Sequence, residues 1–206
     1  MLILTVIKLF IFLSALRAIT HSSRKRSTAL YCGIFAFCGD PKLIDRNLMR
    51  CIMTKFKILG LYNESRGKHS CGVFMANEIT KGVDEKKLFS DFIQKTHFFD
   101  PLETGNFVMI GHARQATHGT HTEANAHPFL VENDLVLAHN GVIKNVWSLC
   151  SKYKQSHTNI QVDSLALATL IHKHGFKILN EYEGAAALLM TRLSEPNSIY
   201  FYKGSS

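Results

Sequence analysis

An arginine, four histidines, two glycines, an asparagine and three threonines crowd into residues 111–127, GHARQATHGTHTEANAH. Polar density of that kind suits a binding or catalytic surface better than a core, although a solvated loop would have the same composition. Arg114 carries a planar fork that matches a carboxylate, whereas an isolated arginine is usually a surface residue. His118, His121 and His127 invite a zinc reading, but their spacing fits none of the usual metal patterns, so no metal is expected. Further along, Asn140-Gly141 offers a side-chain NH2 beside a glycine N–H, a pair of donors suited to a developing oxyanion. The same dipeptide commonly makes a tight hairpin turn. Asp163 could hold an ammonium group, and ahead of Ser164 and an apolar helix it is also a normal N-cap.

Those side chains need a scaffold, and the apolar pattern predicts one. Short apolar runs at 31–37, 71–76, 107–113, 135–138, 185–191 and 199–202 read as six strands. Asp40-Pro41 offers an N-cap with proline at the first helical position. Ile44, Leu48, Ile52, Phe56 and Leu59 then recur at helical spacing until Gly60, which reads as a stop. Residues 84–94 read as an amphipathic helix. A further helix opens at Asp163, runs through Leu165, Leu167, Leu170 and Ile171, and closes near Gly175. Strands are grouped with helices rather than alternating with them, which favours an α+β layered fold over a doubly wound parallel sheet.

The chain has 206 residues, enough for one domain with a substantial core. Its net charge of +8 looks like a nucleic-acid signal until it is divided along the sequence. Lys8, Arg17, Arg24, Lys25 and Arg26 carry five of the positive charges, and no acid offsets them before residue 32. The remainder, with 19 basic and 16 acidic residues, is ordinary for an enzyme and points to no nucleic-acid partner. Residues 1–31 read as a leader or propeptide, or as an extension from an upstream start codon. Lys8 and Arg17 interrupt the apolar stretch, so no stable membrane span of about 20 residues is expected. The basic, acid-free composition leaves organellar or secretory targeting open beside a cytoplasmic location. Five cysteines, odd in number and without CxxC spacing, point to a reducing compartment. Cys38, Cys51, Cys71 and Cys150 lie in apolar stretches and are expected to be buried.

Six blocks stand in a distinctive order: CGIFAF from Cys32, ESRGKHSCGVFM, GHARQATHGTHTEANAHPF, LAHNGVIKN, VDSLALATLI and EGAAALLM. Together they resemble the class II, N-terminal-nucleophile glutamine amidotransferase domain, most of all the glutaminase domain of the glucosamine-6-phosphate synthase type. The resemblance covers residues 32–206, leaving 1–31 outside it. It implies a four-layer αββα sandwich of two antiparallel sheets and no cofactor. It also implies hydrolysis of the glutamine side-chain amide through a cysteinyl thioester. By position, Cys32 is the nucleophile, while Asn140 and the Gly141 N–H stabilise the oxyanion. Arg114, Thr117, His118 and Asp163 bind the substrate, Arg114 at its carboxylate and Asp163 at its ammonium group. Arg66 matches a loop arginine near the nucleophile, with a structural role.

In such enzymes the base is the nucleophile's own α-amino group, whose pKa of about 7.7 to 8 leaves a useful unprotonated fraction at neutral pH. An amide nitrogen cannot take that proton, so a chain in which Tyr31 still precedes Cys32 is expected to be inactive. Three departures from the family pattern stand out. Gln115 occupies the place of a tryptophan associated with gating ammonia, and His69 that of an aspartate. The chain also stops at KGSS, so the domain is either shortened or a fragment. An ammonia acceptor is then expected on another synthase chain or a lost segment. The rival reading is a catalytically weak or inactive module that binds glutamine.

Overall fold

The computed structural model describes residues 5–7, 13–14, 32–83, 89–90, 105–116 and 119–205. Their elements are β1 (Thr5–Ile7), β2 (Leu13–Ser14), β3 (Gly33–Cys38), α1 (Arg46–Glu64), β4 (Ser70–Met75), β5 (Glu78–Gly82) and β6 (Val108–Arg114). Then follow β7 (Phe129–Val131), β8 (Leu135–Ile143), α2 (Val146–Lys152), α3 (Asp163–His174), β9 (Gly184–Arg192) and β10 (Glu195–Ser205). The strands form two five-stranded antiparallel sheets, ordered β1-β10-β9-β8-β7 and β2-β3-β6-β4-β5.

Strand period explains how two sheets and two helical layers stack. Successive side chains of a strand point to opposite faces, so a strand covered on both sides must be apolar throughout. In β3, Phe35 and Phe37 pack with Met49, Ile52 and Phe56 of α1. Ile34, Ala36 and Cys38 face the other way, into a layer shared with Val136, Ala138, Leu189 and Ile199 of the second sheet. In β8, Leu135, Leu137 and Ile143 face a third layer with Val146 and Leu149 of α2 and Leu167, Leu170 and Ile171 of α3. Three apolar layers make four tiers: α1, sheet, sheet, and α2 with α3. This is the αββα sandwich expected from the family resemblance.

Several local expectations give way to packing. Asp40 and Pro41 do open a helical turn, but a short 3-10 one over Pro41–Leu43. The long helix is capped by Asp45, whose Oδ1 accepts from the Leu48 N–H at 2.7 Å. Gly60 does not end that helix. A Cβ there would stand 1.8 Å from Cε1 of Phe89, so the glycine lets a ring lie directly on the helix. Asn140-Gly141 is no hairpin turn, because β8 runs through it in register with Ala187 and Ala186 of β9. Where six strands were expected, the described residues form ten. Of the four additional ones, β5 is too polar and β7 too short to show apolar periodicity, and β1 and β2 lie within residues 1–31. There Thr5–Ile7 pairs with β10 and Leu13–Ser14 with β3. The helix expected over 84–94 falls, apart from Phe89 and Ser90, outside the described residues. Cys38, Cys71 and Cys150 are buried as expected, but Cys51 lies on the outer face of α1 and is exposed. Among the described residues no helix is long and apolar enough to cross a membrane.

Candidate active site

Cys32 sits immediately before β3, half-buried, where the two sheets meet. Its Sγ receives a hydrogen bond from the Gln115 N–H at 3.2 Å and lies 3.3 Å from the Gln115 carbonyl, to which the thiol donates. Its own carbonyl oxygen accepts from Asn140 Nδ2 at 2.6 Å and from Arg66 Nε at 3.4 Å. Asn140 is 108 positions away along the chain, so only the docking of the sheets brings the pair together. Burial pushes the Cys32 thiol up. The Gln115 N–H and the Arg114 charge oppose that rise, and Asp163 adds to it. The sulfur is therefore held mainly as a thiol and needs a base before it can attack.

One small cleft is lined by Cys32, Arg114, Gln115, His127, His139, Gly141, Val162, Asp163 and Ser164. Arg114 ends β6 and is 3% exposed, with Nη1 donating to the Thr120 carbonyl at 3.5 Å. It is not the solvated surface residue that an isolated arginine would suggest. Burial lowers its pKa, while Cys32 and Asp163 pull it back up.

Asp163 does not cap its own helix. It is the first residue of α3, after an N-cap at Val162. Its Oδ2 accepts from the Ile143 N–H at 2.8 Å, and its Oδ1 from the Ser164 hydroxyl at 3.1 Å. The carboxylate is thereby aimed across the end of β8 into the cleft.

The edge of β8 shows which backbone groups are on offer. Alternate residues of a strand turn their N–H and C=O to opposite edges. The Lys144 N–H bonds Glu183 on the β9 side. The His139 carbonyl lies 3.0 Å from His112 Nε2, and the Ile143 N–H bonds Asp163, both on the opposite edge. Gly141 lies between His139 and Ile143 and shares that edge. It has φ +148°, and a Cβ there would meet the Ala185 carbonyl at 1.9 Å, so no side chain fits.

Thr117 and His118 lie outside the described residues. His121 stacks on His69 at 4.3 Å and His127 on His112 at 4.1 Å, so these two candidates do not converge on a metal. Among the described residues no cluster of three His, Cys, Asp or Glu could hold an ion. Sequence reasoning missed the wall built by His112, His127 and His139. His139 Nδ1 lies 2.8 Å from Ser164 Oγ, while both nitrogens of His127 and Nε2 of His139 are buried without hydrogen-bond partners. Burial, foremost, pulls all three imidazoles down, His112 to about 3, so each is neutral at physiological pH. The signal was present in the alternation of β6 and β8, which turns His112 and His139 away from solvent.

Residues 91–161 match the family described as class II glutamine amidotransferases. The glutamine–fructose-6-phosphate aminotransferase (isomerizing) of Thermococcus kodakarensis is 31% identical over 188 residues, covering 85% of this chain and 29% of the relative. The enzyme of the same name from Campylobacter jejuni is 33% identical over 190 residues, with the same coverage. The chain thus spans under a third of the length of these relatives. A solved structure described as the allosteric regulatory enzyme of purine biosynthesis superposes with a TM-score of 0.52. It is 24% identical and is covered over 77% of this chain and 35% of that one, a likeness of fold alone.

Proposed function

We propose, from the premise that this chain carries a class II glutamine amidotransferase domain, that it hydrolyses the side-chain amide of L-glutamine with Cys32 as nucleophile once residues 1–31 are removed. The observation that carries the reading is one cleft holding a thiol, a buried guanidinium and a carboxylate, with the Asn140 amide bonded to the nucleophile's own carbonyl.

Removal of the leader converts the Cys32 nitrogen from an amide into a primary amine, which can take the proton of a thiol that burial keeps protonated. Sulfur then attacks the amide carbon. The oxyanion forms opposite two donors: the Gly141 N–H, and the second hydrogen of Asn140 Nδ2, whose first is committed to the Cys32 carbonyl. The protonated amine returns its proton to the leaving nitrogen, ammonia departs, and water hydrolyses the thioester to glutamate. Arg114 grips the substrate carboxylate from the end of β6, and Asp163 its ammonium group from the start of α3. Thr117 and His118 are assigned to the same pocket from the family pattern. The ammonia passes to an acceptor on a separate synthase chain or domain. The five free cysteines support a reducing compartment such as the cytoplasm.

A second reading, a glutamine-binding module without turnover, draws on Tyr31 preceding the nucleophile and on Gln115 in the gating position. Intact mass and ammonia release, measured on chains beginning at Met1 and at Cys32, separate the two. The Cys32 chain is expected to release ammonia and glutamate in equal amounts, and the Met1 chain and trimmed Cys32→Ala neither. Normal turnover by trimmed Cys32→Ala would refute the mechanism, and glutamine binding without turnover by the trimmed wild type would establish the second reading.

A further inference from the structure

The Cys32 sulfur rests against two consecutive peptide planes, and both end on His69. The plane joining Arg114 to Gln115 donates its N–H to Sγ at 3.2 Å, and its carbonyl accepts from the His69 N–H at 3.1 Å. The next plane, joining Gln115 to Ala116, accepts the thiol proton on its carbonyl at 3.3 Å and donates its N–H to His69 Nδ1 at 2.9 Å. A peptide unit is rigid, so fixing one end orients the other. The main-chain half of this clamp extends the pairing of β4 with β6, in which Ser70 lies opposite Arg114. The other half depends on one ring nitrogen.

With Nδ1 accepting, a neutral imidazole carries its proton on Nε2. That nitrogen lies 3.5 Å from Nε2 of the Gln115 side chain, whose Oε1 is buried without a partner. A half-turn of the amide brings Oε1 toward the ring N–H. The ring also stacks on His121, and Gln115 thereby meets the imidazole through both main chain and side chain.

We infer that His69 is a positioning residue for the nucleophile, its ring holding the Gln115 carbonyl against the Cys32 thiol through the Gln115–Ala116 peptide. The inference rests on Cys32 being the attacking atom. His69 itself touches no substrate in this scheme; it sets where the sulfur waits and keeps it in the thiol form until the amine takes the proton. Arg114 from β6 and Asp163 from α3 are the charged side chains acting on the sulfur; in trimmed protein the freed α-amino group of Cys32 joins them, and all three are common to the wild type and the His69 variants.

Two polar substitutions distinguish the ring nitrogens. His69→Asn places an oxygen near the Nδ1 position and can still accept from Ala116, whereas His69→Gln reaches toward the Nε2 position and leaves that N–H unmet. The rate of Cys32 alkylation by iodoacetamide is followed against pH by peptide mass, with thermal midpoint as the folding control. In trimmed protein, His69→Gln should lower the alkylation midpoint by about half a unit to one unit, since the thiol loses its acceptor. Glutamine kcat should fall about tenfold with KM within about threefold, the pattern of a mispositioned nucleophile. His69→Asn should restore both. His69→Phe, which keeps the stack on His121, supplies the same contrast if the glutamine variant does not fold. A wild-type profile in His69→Gln and His69→Phe, or equal shifts in the asparagine and glutamine variants, overturns the inference. If the trimmed wild type releases no ammonia, the proposed function fails instead, while the alkylation profile still tests the clamp.

Discussion

Acid should weaken this fold through His112 in a way that one substitution can isolate. The ring is fully buried between the sheets, its Nε2 donates to the His139 carbonyl, its Nδ1 has no partner, and His127 stacks on its face. Burial first, then the neighbouring His139 and Arg114, lowers its pKa from 6.5 to about 3. Between those values the unfolded chain binds a proton that the folded chain refuses, so stability rises with pH and is lost as pH falls below about 6.5. Each pH unit inside the window is worth about 1.4 kcal/mol, and from pH 7 to pH 5 His112 alone should account for a loss of about 2 kcal/mol. His127 and His139, pulled in the same direction, add to the wild-type loss. Urea unfolding of trimmed wild type and His112→Gln at pH 7, 6 and 5 measures the difference. Glutamine keeps a donor for the His139 carbonyl, and carboxylate titration elsewhere is common to both proteins. The variant should start less stable and lose about 2 kcal/mol less over the interval. Parallel lines would mean that His112 accepts a proton in the folded protein, and the account of the buried wall would be wrong.

Three further outcomes follow from distances in the structure. Asp163→Asn keeps an acceptor for the Ile143 N–H but removes the charge, so glutamine KM should rise about 10- to 100-fold with the thermal midpoint little changed, as steady-state ammonia release would show. Gly141→Ala drives a methyl into the Ala185 carbonyl at φ +148°. It should cost about 1–3 kcal/mol in urea unfolding, and kcat should fall about 100-fold or more; unchanged values for both would remove Gly141 from the site. Gly60→Ala gains about 1 kcal/mol of helix propensity and collides with Phe89, so overpacking should leave it destabilised while the glutamine KM stays at the wild-type value.

The chemistry of the candidate site was more legible than its geometry. Residue types and block order pointed to Cys32, Arg114, Asn140, Gly141 and Asp163, and apart from Asn140 these line the cleft itself, with Asn140 bonded to Cys32 at its side. Buried strands such as GIFAFC were readable because both faces are covered, which leaves an unbroken apolar run. Local signals misled where tertiary contacts overrode them. Asn140-Gly141 carries a turn signature, yet pairing with the small residues Ala185–Ala187 holds it extended. Gly60 resembles a helix stop, and only the position of Phe89 shows why a glycine is needed mid-helix. Asp163 looks like an N-cap, and its true partner is an N–H released by the open edge of a distant strand. His69 drew notice only as a departure from the family pattern, because its role depends on two peptide groups that no side-chain pattern encodes.

The proposed nucleophile and the proposed oxyanion donors belong to opposite halves of the sandwich: Cys32 leads into β3, whereas Asn140 and Gly141 ride on β8. What keeps the halves in register is a thin layer of modest side chains, among them Ile34, Ala36, Val136, Ala138 and Leu189. On the proposed mechanism, catalytic competence is therefore a property of the seam. A state that kept every strand yet let the halves slide by a single ångström would look native to a circular dichroism spectrometer and be chemically silent.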